Sequence, residues 1–401
     1  MKIALLTNWY SENMGYSENV LPKALAQLGH EVHVISSTAQ VYYNSPFYQT
    51  TYQPYLGSAI VKTGQKAIDN YTLHRLPFHD RGGIVINGLE EKLAEIRPDI
   101  VQSFDIDFNV YQVAQHVLET PFQLFTEMHL HASVFPNYRK LSLAGQLMWY
   151  WKIGRYLRQI NQRTVLCYPI ADDCADIAKI LYKVPAEKIR IQSLGTDTQW
   201  FSPCETPEHW KEREHLRSEW GFTPSDIVCI YTGRITPDKG PSILARAVGH
   251  LQERGKSQFK ALFVGIGQPS EMDLVRSVPG CVITDFVRAS ELPKYYRSAD
   301  IGVWPLQEST SQLDAIACGL PLIVNDTVTV TQRVDGNGLF YRMGDSQDLA
   351  RKLEELEDPA VRKLMGANGI KNAVENFSWI KLARERVIDY EASLQGSKHD
   401  R

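Results

Sequence analysis

At 401 residues the chain exceeds what one hydrophobic core serves comfortably, and two domains of ordinary size are expected. Apolar residues make up 43% and charged residues 22%, which excludes a disordered chain, and a net charge of -3 gives no overall electrostatic reason to bind nucleic acid. Six cysteines (Cys167, Cys174, Cys204, Cys229, Cys281, Cys318) form no C-x-x-C pair and no metal-ligand spacing, so they read as small apolar fillers in a reducing compartment.

Lys2 to Thr7 is a continuous apolar run, expected as a strand buried on both faces rather than as a signal peptide. After a polar loop, Leu21, Ala24, Leu25 and Leu28 recur at helical spacing. Pro22 is tolerated in a first helical turn, where its missing N–H has no partner to lose, so this helix is expected to begin near Asn19. Gly29-His30 ends it, and Glu31 to Ser36 is the second strand of a doubly wound sheet. From Thr38 to Asp69 the chain is rich in Tyr, Gln, Ser and Pro and is read as an irregular excursion. A helix over 87–96, a strand from Ile100 to Phe104, a helix over 109–119 and a strand from Phe122 to Thr126 resume the alternation. A second array starts at Ile227, with strands Ile227 to Thr232, Lys260 to Val264, Asp300 to Trp304 and Leu322 to Val324. Its helices follow Gly240 and cover 290–298, Leu313 to Cys318 and Leu349 to Leu356. Two Rossmann-like α/β domains facing across a cleft are expected, joined near 185–205, with ligands at the carboxyl ends of the strands.

The segment Gly233-Arg234-Ile235-Thr236-Pro237-Asp238-Lys239-Gly240 leaves a strand and opens a helix. Gly233 permits a close turn, and Arg234 and Lys239 put two cations where a helix N-terminus already favours an anion, an arrangement suited to a pyrophosphate leaving group. Further on, Ser309, Thr310 and Ser311 can cap a helix and offer backbone N–H groups to a phosphate. Asp314, one turn in, is placed to accept from a ribose diol, and read alone it is also an ordinary exposed helical carboxylate.

These blocks, with the opening MKIALLTNWY, LAQLGHEVHVIS, IRIQSLGTDTQWFSP, ALFVGIGQP, ITDFVRASELPKYYRSADIGVWP, LDAIACGLPLIVND, GNGLF and ENFSW, resemble the retaining GT-B glycosyltransferases of family 4 nearly end to end. The resemblance implies an N-terminal acceptor domain over 1–190, with 376–395 packing back on it, and a C-terminal nucleotide-sugar donor domain over 200–375. It implies that Arg234 and Lys239 grip the donor diphosphate, that the backbone of Val287 meets the nucleobase, and that Gly15 lies near diphosphate and acceptor. Asp314 matches the second acid of the family's E-x7-E motif, and Glu308 the first, which contacts the transferred sugar. Two departures stand out: Gly15 is single where many members have paired glycines, and only five residues separate Glu308 from Asp314. The resemblance further implies transfer with retention, no metal and no cofactor beyond the nucleotide-sugar co-substrate, and hinges near 195–200 and 376.

On the acceptor side, Phe122 to Ser133 delivers His129 and His131 to the strand end, either of which matches the family's site histidine, with Glu127 at the same edge. The nearest approach to a D-x-D motif is Asp105-Ile106-Asp107. Between His129 and Cys167 there is no acid, while Arg139, Lys140, Lys152, Arg155, Arg158 and Arg163 alternate with Met148, Trp149, Tyr150, Trp151 and Tyr156. Such a stretch over 139–163 is either a peripheral contact with an anionic membrane or a helix whose Trp149, Trp151 and Tyr156 are core. A cytoplasmic enzyme, at the inner membrane face under the first of these readings, is therefore expected, acting on a carbohydrate, lipid-linked or small-molecule acceptor and not on nucleic acid. The alternatives are an epimerase or phosphorylase of similar fold, against which GRITPDKG and FSW argue, and a non-catalytic nucleotide-sugar-binding subunit that stabilises a partner transferase.

Overall fold

The computed structural model describes the chain apart from Asn13, 117–120, Ser133, Gln307, Thr329 and 400–401, with backbone alone at Thr51 and 397–399. It divides into two compact units, one formed by Met1–Leu194 with the segment from Trp379 onward, the other by Gly195–Ser378.

The first unit carries β1 (Lys2–Thr7), β2 (Glu31–Ser37), β3 (Gly64–Ile68), β4 (Tyr71–Leu76), β5 (Phe78–Asp80), β6 (Ile84–Ile86), β7 (Ile100–Ser103), β8 (Gln123–Met128) and β9 (Thr164–Pro169). Seven of these form one sheet in the order β3-β4-β2-β1-β7-β8-β9, parallel except for the β3–β4 pair. The apolar run of β1 is buried, as a strand between two neighbours requires. The first helix spans Ser17–Gln27, two residues earlier than the proline argument predicts, with Pro22 inside it. Burial of Leu21, Ala24 and Leu25 against the sheet outweighs the one backbone bond that proline forfeits. The helix expected over 109–119 runs Phe108–His116, and its expected end falls outside the described residues.

The 38–69 excursion holds a π-turn at Tyr48–Tyr52, a short helix at Gln53–Leu56 and the antiparallel β3, which returns as β4 through Asp69 at φ 46°. An edge strand exposed on both faces has no apolar alternation, so β3 left no signal in the sequence. The final helix, Trp379–His399, buries Trp379, Leu382, Ala383 and Tyr390 in the core of the first unit.

The second unit has β10 (Ile227–Thr232), β11 (Phe259–Val264), β12 (Cys281–Thr284), β13 (Ile301–Trp304), β14 (Leu322–Asn325) and β15 (Gly338–Tyr341) in one parallel sheet. Their order, β12-β11-β10-β13-β14-β15, is that of a dinucleotide-binding sheet, with the reversal of direction between β10 and β13. In the first unit the equivalent reversal lies between β1 and β7. Loops leaving the carboxyl ends of strands at such a point diverge and leave a crevice, which directs attention to the segments after β1, β7, β10 and β13.

Candidate functional site

In the second unit the loop Gly233–Gly240 continues the sheet ladder past the end of β10. Gly233 N–H donates to the Val264 carbonyl at 3.0 Å and Ile235 N–H to the Ile266 carbonyl at 3.0 Å. This backbone approach excludes a side chain: a Cβ on Gly265 would lie 2.1 Å from the Gly233 carbonyl oxygen. Gly240 caps the helix Pro241–Glu253 at φ 65°, and a Cβ there would meet Leu306, the second residue after β13, at 2.7 Å. The two loops flanking the reversal therefore touch. Arg234 is exposed and 3.5 Å from Asp238, while Lys239 is half-buried. Burial depresses the Lys239 pKa and the neighbouring Arg234 adds to the effect, against the pull of Asp238 and Glu308. Two crowded cations are thus held where an added dianion would relieve them. The helix N-terminus is less free than the sequence suggests, since Ser242 N–H already donates to the buried Glu271 at 3.2 Å.

Ser309, Thr310 and Ser311 precede and open the short helix Ser311–Ala317. Ser309 Oγ accepts from Ser311 N–H at 3.3 Å and lies 2.6 Å from Ser311 Oγ, so part of the expected phosphate-binding capacity is used internally. Asp314 is half-buried rather than an exposed helical carboxylate, and accepts from the buried Thr196 hydroxyl at 2.6 Å. Burial pushes its pKa up to about 7, with Asp197 adding and Thr196 opposing. Glu308 is half-buried two residues after Leu306, and Val287 packs on the core in the loop after β12. Sequence reading missed Arg333, which is buried and donates to the Ser309 carbonyl at 3.2 Å. Burial lowers its pKa to about 10 despite Glu308. A lone arginine in the apolar-flanked VTQRV is the one signal that pointed to it.

In the first unit, Gly15 is exposed in the loop after β1. His129, just past β8, donates Nε2–H to Glu127 at 2.7 Å. Glu127 is fully buried, and its other oxygen accepts from Gln102 at 2.5 Å and from Arg386 on the final helix. Arg386 also donates to Gln192 at 2.5 Å and lies 4.9 Å over the Tyr168 ring. Burial alone would raise Glu127, but Arg386 and His129 outweigh it and hold the carboxylate ionised. Burial would lower His129, yet Glu127, Asp105 and Glu18 raise it on balance. Burial pushes Glu18 and Asp105 up to about 7 and raises Asp107 as well, so these buried acids hold their protons to higher pH than free carboxylates do.

His131 takes a different partner, donating Nδ1–H to Asp173 on the helix Asp172–Ile180 at 3.1 Å, with Cys174 Sγ at 3.6 Å. These three ligand atoms lie within 4.8 Å of one another, the single such His/Cys/Asp/Glu group among the described residues. Cys174, read among the small apolar fillers without metal-ligand spacing, is brought to His131 by the fold alone, since loop and helix are 43 residues apart in sequence. The helix Leu143–Lys152 buries none of its residues: Leu143 is 85% and Trp151 59% exposed, whereas Trp149 and Tyr156 pack on Phe135, Tyr111 and Phe108. Trp151 is therefore not core.

Residues 226–358 match the family model described as glycosyl transferases group 1. Among curated proteins the chain is similar to a D-inositol 3-phosphate glycosyltransferase of Streptomyces bingchenggensis, 26% identical over 240 residues, which is 54% of this chain and 50% of that protein. It is also 25% identical over 226 residues to an uncharacterized glycosyltransferase, MJ1607, of Methanocaldococcus jannaschii, covering 54% of this chain and 57% of that one. The chain thus spans about half the length of the curated relatives it matches. Among solved structures, Anabaena Alr3699/HepE in complex with UDP aligns with TM-score 0.68 at 16% identity, over 98% of this chain and 100% of the other. Sucrose-phosphate synthase from Thermosynechococcus elongatus aligns with TM-score 0.68 at 18% identity, over 99% and 100%. The family match is confined to residues 226–358, in a chain that shares the GT-B fold of these solved structures.

Proposed function

We propose that the chain is a glycosyltransferase that moves a sugar from a nucleotide-diphosphate donor to an acceptor hydroxyl, with retention of anomeric configuration and without a metal. The observation that carries the reading is the Gly233–Gly240 loop, where Arg234 and Lys239 crowd together at the reversal point of the second sheet, inside the matched region. Their charges stabilise the departing diphosphate, the part a divalent cation plays in other transferases. The bond from the anomeric carbon to the phosphate oxygen breaks as the bond to the acceptor oxygen forms on the same face. The acceptor proton passes to the departing phosphate oxygen. Glu308 and Asp314 serve the sugar and ribose hydroxyls, and His129 or His131 meets the reacting sugar. Anabaena HepE was solved with UDP and with UDP-glucose, so uridine nucleotides are the first to try.

Release of UDP from UDP-glucose and its congeners, measured without acceptor, tests the reading: slow hydrolysis is expected in the wild type and none in Lys239→Ala. A chain that binds a nucleotide sugar and never cleaves it, with or without acceptors, is instead the non-catalytic subunit.

The same reading assigns residues 139–163 to peripheral contact with the inner face of an anionic membrane and the chain to the cytoplasm. The support is the helix Leu143–Lys152, whose exposed Leu143, Leu147, Met148 and Trp151 lie near Lys152 and Arg155 in a stretch without acids. No described helix is long and apolar enough to cross a membrane. Co-sedimentation with vesicles containing phosphatidylglycerol, weakened by salt and by Trp151→Ser, is the expected outcome. Absence of binding at low salt removes the assignment.

A further inference from the structure

A cavity of about 420 Å³ in the first unit is lined by Glu12, Gln40, Tyr55, Lys62, Lys66 and Arg75 together with neighbouring loop residues. Arg75, on β4, is only 8% exposed. Its Nη1 donates to the carbonyls of Ser37 at 3.4 Å and Ala39 at 3.5 Å, both long, and its guanidinium lies 5.3 Å over the Tyr10 ring. Among the described residues Arg75 has no ion-pair partner; Glu12 acts on it from a distance and is itself paired with Lys66 at 2.5 Å. With Glu12 and Lys66 offsetting each other, Arg75 and Lys62 leave the cavity with two positive charges.

A buried guanidinium held by two stretched carbonyl bonds and a ring face is poorly compensated, and buried charges are otherwise paired. The missing counter-charge is then a ligand's. A planar guanidinium with nitrogen atoms to spare suits an oxyanion, which it can bind through two parallel hydrogen bonds. The cavity also lies on the functional edge. Strands β4, β2, β1, β7 and β8 are parallel neighbours, so the end of β4 that carries Arg75 shares an edge with His129. Four strand spacings separate them, about 19 Å.

We propose that this cavity binds an anionic oxygen group, a phosphate, sulfate or carboxylate, carried by the acceptor and set back from the reacting hydroxyl by more than one sugar ring. The word acceptor rests on the proposed function; the anion site does not.

Inorganic phosphate is the probe, titrated by calorimetry into a chain bearing Arg234→Ala and Lys239→Ala, so that the donor cations contribute nothing. One phosphate is expected to bind, about tenfold more weakly after Arg75→Gln and about threefold more weakly after Lys62→Gln. Lys62 is exposed, so that variant decides the matter if Arg75→Gln fails to fold. Phosphate binding unchanged in the variants that fold, or no phosphate binding at all, overturns the proposal. So does loss of binding to phosphatidylglycerol vesicles on Arg75→Gln with phosphate binding intact, because the anion would then be a lipid headgroup. Failure of the chain to bind any nucleotide leaves these readings untouched and bears only on the transferase reading.

Discussion

The carboxyl edges of the two sheets solve their electrostatics in opposite ways. In the second unit two cations from one eight-residue loop are left near each other, with Asp238 and Glu308 only partly offsetting them. In the first, Glu127, Asp105 and Glu18 all act on His129, and Glu127 is paired in turn with Arg386 from the final helix. The first arrangement is primed for a dianion. The second holds acids that burial keeps protonated to higher pH, and its geometry depends on a residue 259 positions away from the carboxylate it pairs with. One edge is made by local chain geometry, the other by tertiary packing, and they should fail differently.

The sharpest way to break this contrast is Arg386→Met. It leaves Glu127 buried without its counter-charge and is expected to cost about 3–5 kcal/mol of the first unit's stability, read by urea denaturation. Adding Glu127→Gln to the same chain should recover much of that loss; a double variant as unstable as the single one would mean that packing, not charge, holds the helix.

Next comes the pH dependence. Glu18, raised from 4.5 to about 7, binds its proton more tightly folded than unfolded, so stability falls as pH climbs through that window and is level above it. Raised His129 acts in the same direction, its contribution present below its unfolded pKa and lost as pH rises through the folded one. Glu18→Gln is therefore expected to stabilise the chain at pH 8.5 by up to about 3 kcal/mol and to change little at pH 4. Equal effects at both pH values would contradict the burial argument.

Arg234→Ala and Lys239→Ala should each weaken binding of the cognate nucleotide diphosphate by about ten- to a hundredfold, the range for a charged hydrogen bond, with little change in stability. The smallest effect is expected from Thr196→Val. It removes the hydrogen bond to Asp314, costs about 1 kcal/mol, and moves the Asp314 titration further up, which carbon-detected NMR would follow.

The same contrast explains what was legible in advance. The second edge could be read because its turn, cations and helix start are contiguous in GRITPDKG, and β10, β11, β13 and β14 are mostly apolar runs. Arg333 escaped because a lone arginine in VTQRV does not by itself announce that it folds under Ser309. In the first unit His129, His131 and Glu127 were visible at a strand end. The partners that give them character were not: Glu18, Asp105, Asp173 and Arg386 come from four separate segments, burial raising the first two while hydrogen bonds and opposite charges outweigh burial at Asp173 and Arg386. The β3–β4 hairpin was missed for a simpler reason, an exposed edge strand having no apolar rhythm.

The most direct test of the transferase account is calorimetric titration of the wild-type chain with UDP, GDP and ADP, beside Arg234→Ala and Lys239→Ala. The account predicts that one of the three binds in the micromolar range and that both substitutions abolish or sharply weaken it. Binding of none, or binding that both variants retain at full strength, would contradict it.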